Sequence, residues 1–385
     1  MVDDESSMKN HSSRRDFLAA GLALPVAATV PAGPSMNSSL QAASALRYRT
    51  LGRTGLKVSA VGYGCMITSD PSVITRAADL GINFFDTSRR YQQGNNERMV
   101  GAALKGKRNH VILSSKTDGS TKEEALAELE TSLKELGTDH LDIWHLHSKS
   151  SPESITDELV DALETAKKQG KTRFVGVSTH RLAAIAAAVV KGGKLDVIQA
   201  TYNFTVDADM AAAVESLHQA GVGLVAMKVM AGGTRGRKTR PEMQRPGALT
   251  AALKWVLKNP NIGTTVPSMT DMDQLDQNFK AMTETFSDAD QKILTAWLDE
   301  IRPLYCRMCG QCDGKCPQGL PVSDVLRYLM YAEDYGQFPL GREKFLELPT
   351  ELTRVRCRLC PSCTIQCPNG VRVAERLIRA QELFA

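Results

Sequence analysis

Residues Gly81–Tyr91 read GINFFDTSRRY: a short apolar run, Ile82 to Phe85, delivers Asp86 and, five residues on, Tyr91. Such a run suits a strand covered on both faces, and an ionisable residue at its end brings charge to a rim. Three later runs repeat the design. Lys116 closes VILSSK, His147 closes LDIWHLH and Ser178 closes FVGVS. A carboxylate, a phenol, an amine and an imidazole thus arrive from successive strand–helix units. Singly, each has a commoner explanation as a cap, a surface lysine or a core histidine. Their joint arrival at consecutive strand ends points to a catalytic rim.

Outward from this stretch the pattern is strand then helix, repeated eight times. The expected strands are Ala60 to Gly64, Ile82 to Asp86, His110 to Ser115, Leu141 to His147, Arg173 to Ser178, Asp196 to Thr201, Gly223 to Lys228 and Gly263 to Pro267. RYRTLGRTGLKVS leads into them. The clearest helix, TKEEALAELETSLKELG, carries Leu126, Leu129, Leu133 and Leu136 on one stripe. A Thr121/Glu124 capping box opens it and Gly137 stops it. Eight such units in roughly 240 residues fit an α/β (β/α)8 TIM barrel, which needs about 250. A doubly wound open sheet is the rival, weakened because no G-x-G-x-x-G turn follows the first strand. SDADQKILTAWLDEIRPL reads as a helix linking this unit, 46–300, to a smaller one, 301–385.

Asp86, Tyr91, Lys116 and His147, in this order, resemble the working group of the aldo-keto reductase superfamily. The resemblance implies Tyr91 as proton donor, Lys116 as its tuning partner, Asp86 as the orienter of Lys116 and His147 as the group that positions a substrate oxygen. The chemistry is coherent, because a neighbouring ammonium favours a phenolate and a carboxylate holds that ammonium. His145 shares a strand face with His147; the motif LHS favours His147. The resemblance further implies nicotinamide contacts at Ser178 and Gln199, and an adenosine-phosphate cradle in VPSMTDMDQLDQN with Ser268 and Asn278. Met227 stands where an aromatic ring commonly stacks on nicotinamide, and Lys228 where a small residue is usual, so Lys228 is a candidate grip for a phosphate or an anionic substrate. Basic residues that select a 2′-phosphate are missing at Ser268 and Gln274. NAD, or no exchangeable nucleotide, stays open beside NADP.

Cysteine is the skewed residue: eight of nine lie after Leu304, and lone Cys65 reads as packing. CRMCGQCDGKCP supplies Cys306, Cys309, Cys312 and Cys316; CRLCPSCTIQCP supplies Cys357, Cys360, Cys363 and Cys367. Both match the C-x2-C-x2-C-x3-C-P run of bacterial ferredoxins, in which the fourth cysteine serves the other cluster. By that pattern Cys306, Cys309, Cys312 and Cys367 hold one [4Fe-4S] cluster, and Cys357, Cys360, Cys363 and Cys316 the other. Zinc and disulfides are the alternatives; a third cysteine three residues on suits zinc badly, and adjacent C-x2-C pairs bridge poorly. LRYLMYAEDYGQF between the runs reads as a helix, so the module resembles a mostly helical dicluster ferredoxin domain.

The N-terminus places Arg14 and Arg15 in SRRDFL before a mild apolar stretch and an Ala43-Ser44-Ala45 cleavage site, resembling a twin-arginine export signal over 1–45. The apolar run is too short and broken to make a stable membrane span. Export by the Tat translocase to the periplasm, cleaved or tethered, is the expectation. The net charge of +4, from 47 basic and 43 acidic residues spread along the chain, is a solvated surface and no nucleic-acid footprint. Together these features predict an enzyme acting on a small carbonyl or alcohol, with electrons passing through two clusters to an external carrier. The other reading is a non-catalytic electron carrier built on a relic barrel.

Overall fold

The computed structural model describes residues 46–233, 245–361 and 363–385. The stretch 1–45 read as an export signal, and the basic residues Arg235, Arg237, Lys238 and Arg240, lie outside them. An antiparallel hairpin comes first, β1 (Tyr48–Thr50) and β2 (Lys57–Ser59), where the sequence suggested only a lead-in. Eight parallel strands follow: β3 (Tyr63–Gly64), β4 (Phe84–Asp86), β5 (Ile112–Thr117), β6 (Leu141–Leu146), β7 (Thr172–Thr179), β8 (Val197–Thr201), β9 (Gly223–Met227) and β10 (Thr264–Thr265). Each pairs with its neighbour in chain order. Parallel bridges from Val61 to Thr265 and from Gly64 to Ser268 bring the last strand round to the first, giving a (β/α)8 barrel. Gly64 is obligatory at this seam, since a Cβ there would lie 2.5 Å from the Val266 carbonyl oxygen.

The barrel interior is filled in the ordinary way for this architecture. Phe84, Ile112, Ile143, Val197 and Val225 point inward, and Leu51 and Val58 of the hairpin close the bottom. The leucine-striped helix spans Lys122–Leu136. Its Thr121 accepts from the Glu124 amide at 3.2 Å, but Glu124 reaches back to the Ser120 amide at 2.8 Å, one residue short of a reciprocal box. Gly137 stops it at φ 64°, as expected.

The linking helix, Asp288–Ile301, is no free tether. Trp297 is fully buried, stacking on Phe204 with ring centroids 5.2 Å apart. The C-terminal region is helical, with helices at Val322–Glu333, Phe338–Leu346 and Val373–Phe384. Ala248 and Ala252 of the barrel, Trp297 and Ile301 of the linking helix, and Leu329 and Phe345 of the cysteine region belong to one apolar cluster.

That region sits over the C-terminal ends of the strands. Its polar contacts all reach residues of the loops there: Arg90 to Glu347 at 3.0 Å, Arg181 to Ser323 at 2.8 Å and to Asp313, and Arg307 to the Thr205 carbonyl at 2.8 Å. No helix among the described residues is long and apolar enough to cross a membrane.

Candidate active site

Asp86 ends β4 and Lys116 lies one residue from the end of β5, so strand pairing sets their side chains against one another inside the rim. The Lys116 ammonium donates to both Asp86 oxygens, at 2.8 and 2.7 Å, and to the Thr87 carbonyl at 2.6 Å. Both residues are all but fully buried. Ser114 donates to the same carboxylate at 3.0 Å and Gln199 at 2.9 Å, so every charge here is met.

Tyr91 follows on a short turn, with Gln92 and Gln93 in the left-handed region at φ 51° and 56°. Its ring lies 5.0 Å from Lys116 Nζ and edge-on to His147, centroids 5.9 Å apart. The phenol is held well above its ordinary pKa by burial, then by the Asp86 charge. The Lys116 ammonium beside the ring is itself paired with Asp86. Tyr91 is therefore kept protonated, the form a proton donor needs.

His147 lies just past β6 and its Nδ1 bonds the Asp118 carboxylate at 2.8 Å. That contact leaves Nε2 as the ring's remaining polar atom. Burial would raise the Asp118 carboxyl, but His147 and then Arg90 outweigh it and hold it below the usual range. Asp118 was missed in the sequence; it follows Lys116 by two residues in KTDG, an alternation that in hindsight returns it to the same rim. His145 is fully buried beside Gly176, where a Cβ would lie 2.6 Å from its Nδ1. Burial, then Lys116, pushes its pKa well down, making it a neutral interior residue.

A cavity of about 440 Å³ opens beside these groups. Asp86, Tyr91 and Gln199 line it, as do Ser268, Gln274 and Asn278. Two buried amides in its wall have atoms with no partner among the described residues: Gln199 Oε1, and both Oδ1 and Nδ2 of Asn278. Unmet amides from two different elements in one cleft fit a polar ligand such as a dinucleotide. Ser178 is not brought into this wall, and its hydroxyl accepts from the Ser148 amide at 2.8 Å. Tyr335, Gly336 and Gln337 of the cysteine region complete the lining, which no local pattern announced.

All nine cysteines are unbridged. Cys306, Cys309, Cys312 and Cys367 line a single pocket, and burial followed by these neighbours pushes the Cys306 thiol up to about 12. Cys357 is pushed to about 11 by burial, then by Cys360, Cys316 and Cys363. Cys367 thus sits with the first run, and Cys316 is among the neighbours of Cys357. Cys306 Sγ accepts from the Met308 amide and Cys309 Sγ from the Asn369 side chain, each at 3.4 Å. Among the described residues no three metal-binding side chains converge on one ion; the sulfurs surround a space, as a multi-iron group requires. Asn203 ties the two regions together: its Nδ2 donates to the Lys228 carbonyl and to Tyr305 Oη, both at 3.0 Å, and Tyr305 adjoins Cys306.

Residues 70–249 match the Aldo/keto reductase family and residues 305–371 a 4Fe-4S dicluster domain. The L-galactose dehydrogenase of Arabidopsis thaliana is 30% identical over 295 residues, spanning 65% of this chain and 92% of that protein. The NADH-specific methylglyoxal reductase of Escherichia coli is 28% identical over 309 residues, spanning 64% and 94%. Among solved structures, the holo form of aldo-keto reductase AKR11C1 from Bacillus halodurans aligns with a TM-score of 0.58 at 25% identity, covering 66% of this chain and 96% of that one.

Proposed function

The chain belongs to the aldo/keto reductase family and is an oxidoreductase with a 4Fe-4S dicluster domain, and from that premise we propose that it couples carbonyl–alcohol chemistry at the barrel rim to electron transfer through two [4Fe-4S] clusters. The observation that carries this is the shared cavity: Asp86, Tyr91, the unmet amide of Asn278 and Tyr335 of the cysteine region all lie in its wall.

In this mechanism Tyr91 gives its proton to the substrate oxygen, which His147 positions through Nε2 while Asp118 fixes its ring. Asp86 holds Lys116 in a paired, buried floor beneath the phenol. Gln199, Ser268 and Asn278 would hold a nicotinamide nucleotide. When bound, the nucleotide supplies or takes up a hydride and the clusters supply one-electron transfer. The eight cysteines from Cys306 to Cys367 hold those clusters in the crosswise sets named above. Apart from Lys228, no lysine or arginine among the described residues lines the cavity, so nothing there selects a 2′-phosphate and NAD is the favoured nucleotide.

The names of the two relatives point to small polar carbonyl or sugar substrates. We extend the proposal to export by the Tat route, with folding and cluster loading before translocation, and to an external electron carrier as partner.

Anaerobically purified protein is the test. Denaturation is expected to release nucleotide, and an oxidisable alcohol to bleach the iron–sulfur absorbance in the wild type but not in Tyr91→Phe. Absence of nucleotide together with unchanged redox behaviour in Tyr91→Phe would leave the barrel as a docking surface only.

A further inference from the structure

We propose that Lys228 is a recognition site for an oxyanion carried by the substrate, so that the cavity takes small oxo or hydroxy acids in preference to neutral carbonyls and alcohols. The proposal rests on the carbonyl–alcohol reading of the same cavity and names its substrate class.

Lys228 follows β9 in the left-handed region at φ 57°, a conformation that a lysine adopts at a cost. The backbone is pinned there, its carbonyl held by Asn203 at 3.0 Å. The half-buried side chain enters the cavity between two rings of the cysteine region, with Nζ 4.6 Å from the centroid of Tyr331 and 4.8 Å from that of Tyr335. Among the described residues its partners are these rings and the Tyr331 hydroxyl, with no carboxylate ion-paired to it. Lys116, on the same rim, lies between two oxygens of Asp86. Ring faces attract a cation without neutralising it, and they return less than the water it gives up.

Neighbouring charge deepens the deficit. Arg327 is close by but already bonded to Asp324 at 2.9 Å. Buried His180 reports the local field: burial first, then Arg327 and Lys228, drives its pKa well down. Position decides what kind of anion fits. Lys228 and Tyr91 line the same cavity, so the ammonium faces the space in which the proton donor works. Ser268, Gln274 and Asn278 bring no cation to that cavity. A substrate whose reacting oxygen lies at Tyr91 and His147 would present a nearby carboxylate or phosphate to Lys228.

The test uses the full-length, cluster-loaded protein with NAD present. Calorimetry compares glycolate and 3-hydroxybutyrate with their neutral amides. The expectation is at least tenfold tighter binding of the acids in the wild type, loss of that preference in Lys228→Met, and its retention in Lys228→Arg. Cluster absorbance checks assembly, and Lys228→Gln replaces Lys228→Met should the latter fail to assemble. No acid preference in the wild type, or one that survives in Lys228→Met, overturns the proposal. It is equally overturned if Lys228→Met weakens only NAD binding, or only lowers the melting temperature, since Lys228 then serves the nucleotide or latches the two regions. Turnover by the wild type separates the two levels. An acid preference in wild-type protein that turns over no carbonyl or alcohol would sink the proposed reaction and leave the anion site standing.

Discussion

At the barrel rim, Lys228 apart, the buried charges named above meet their opposites. Lys116 is paired with Asp86, His147 with Asp118, and Arg89 with the fully buried Glu97. In the cysteine region the functional atoms are thiols facing one another, and burial raises Cys306, Cys312 and Cys357 to about 12, 11 and 11. The rim carries its own counter-charges and can reach its working geometry unaided. The thiols become ligands only by losing protons to a bound metal group, so that group is part of the region's folding free energy. One half of the molecule is stabilised by its side chains, the other by its cargo.

The contrast is most exposed at Asp86. Asp86→Ala leaves the Lys116 ammonium buried and unpaired, and should cost about 3–5 kcal/mol in denaturant melts. The double variant Asp86→Leu/Lys116→Met should regain most of that stability while carbonyl turnover stays lost. A single variant as stable as wild type would mean the rim is not held by paired charge.

Within the cysteine region, Cys306→Ser and Cys363→Ser should each lower bound iron from about eight to about four atoms per chain. Their stability effects should differ. Cys306 packs against the cluster of apolar side chains shared with the barrel, whereas Cys363 is exposed. Thermal melts should show the larger loss for Cys306→Ser, with nucleotide binding retained in Cys363→Ser. Equal losses would show the two sulfur sets to be energetically alike.

The smallest effect belongs to Asp118→Asn, expected to cost about 1 kcal/mol at neutral pH. The folded carboxyl titrates below its unfolded value, so its contribution is complete above about pH 4 and disappears as pH falls through the depressed folded value. Urea melts of wild type and variant should therefore converge from about pH 5 toward pH 3. A gap that widened on acidification would mean that Asp118 is not stabilised as a carboxylate.

Much of this was legible in order of chain. The apolar runs ending in Asp86, Lys116 and His147 announced parallel strands and their rim, because strand period and burial are local properties. The strand limits shifted by a few residues: β4 begins at Phe84, and His147 lies just past β6. The lead-in became a hairpin because Leu51 had to plug the barrel floor, a demand only the closed barrel makes. Tyr91 came out with a raised pKa because the fold buries it, with the Asp86 charge adding to the effect, and burial depends on tertiary packing and not on residue order.

By itself the sequence determined the eight-unit barrel, and it named the Asp–Tyr–Lys–His set and the crosswise sulfur sets as expectations, since each is written in spacings of a few residues along one strand or one loop. Only the tertiary structure decided that Asp118 orients His147, that Gln199 donates to Asp86, and that Tyr331 and Tyr335 close over Lys228. Gln199 reaches Asp86 because the parallel strands that carry them belong to one closed sheet, whereas Tyr331 and Tyr335, about a hundred residues from Lys228, reach it because an apolar face, from Leu329 to Phe345, needed covering. Burial of that face fixed where the cysteine region sits, and polar neighbours followed from its position.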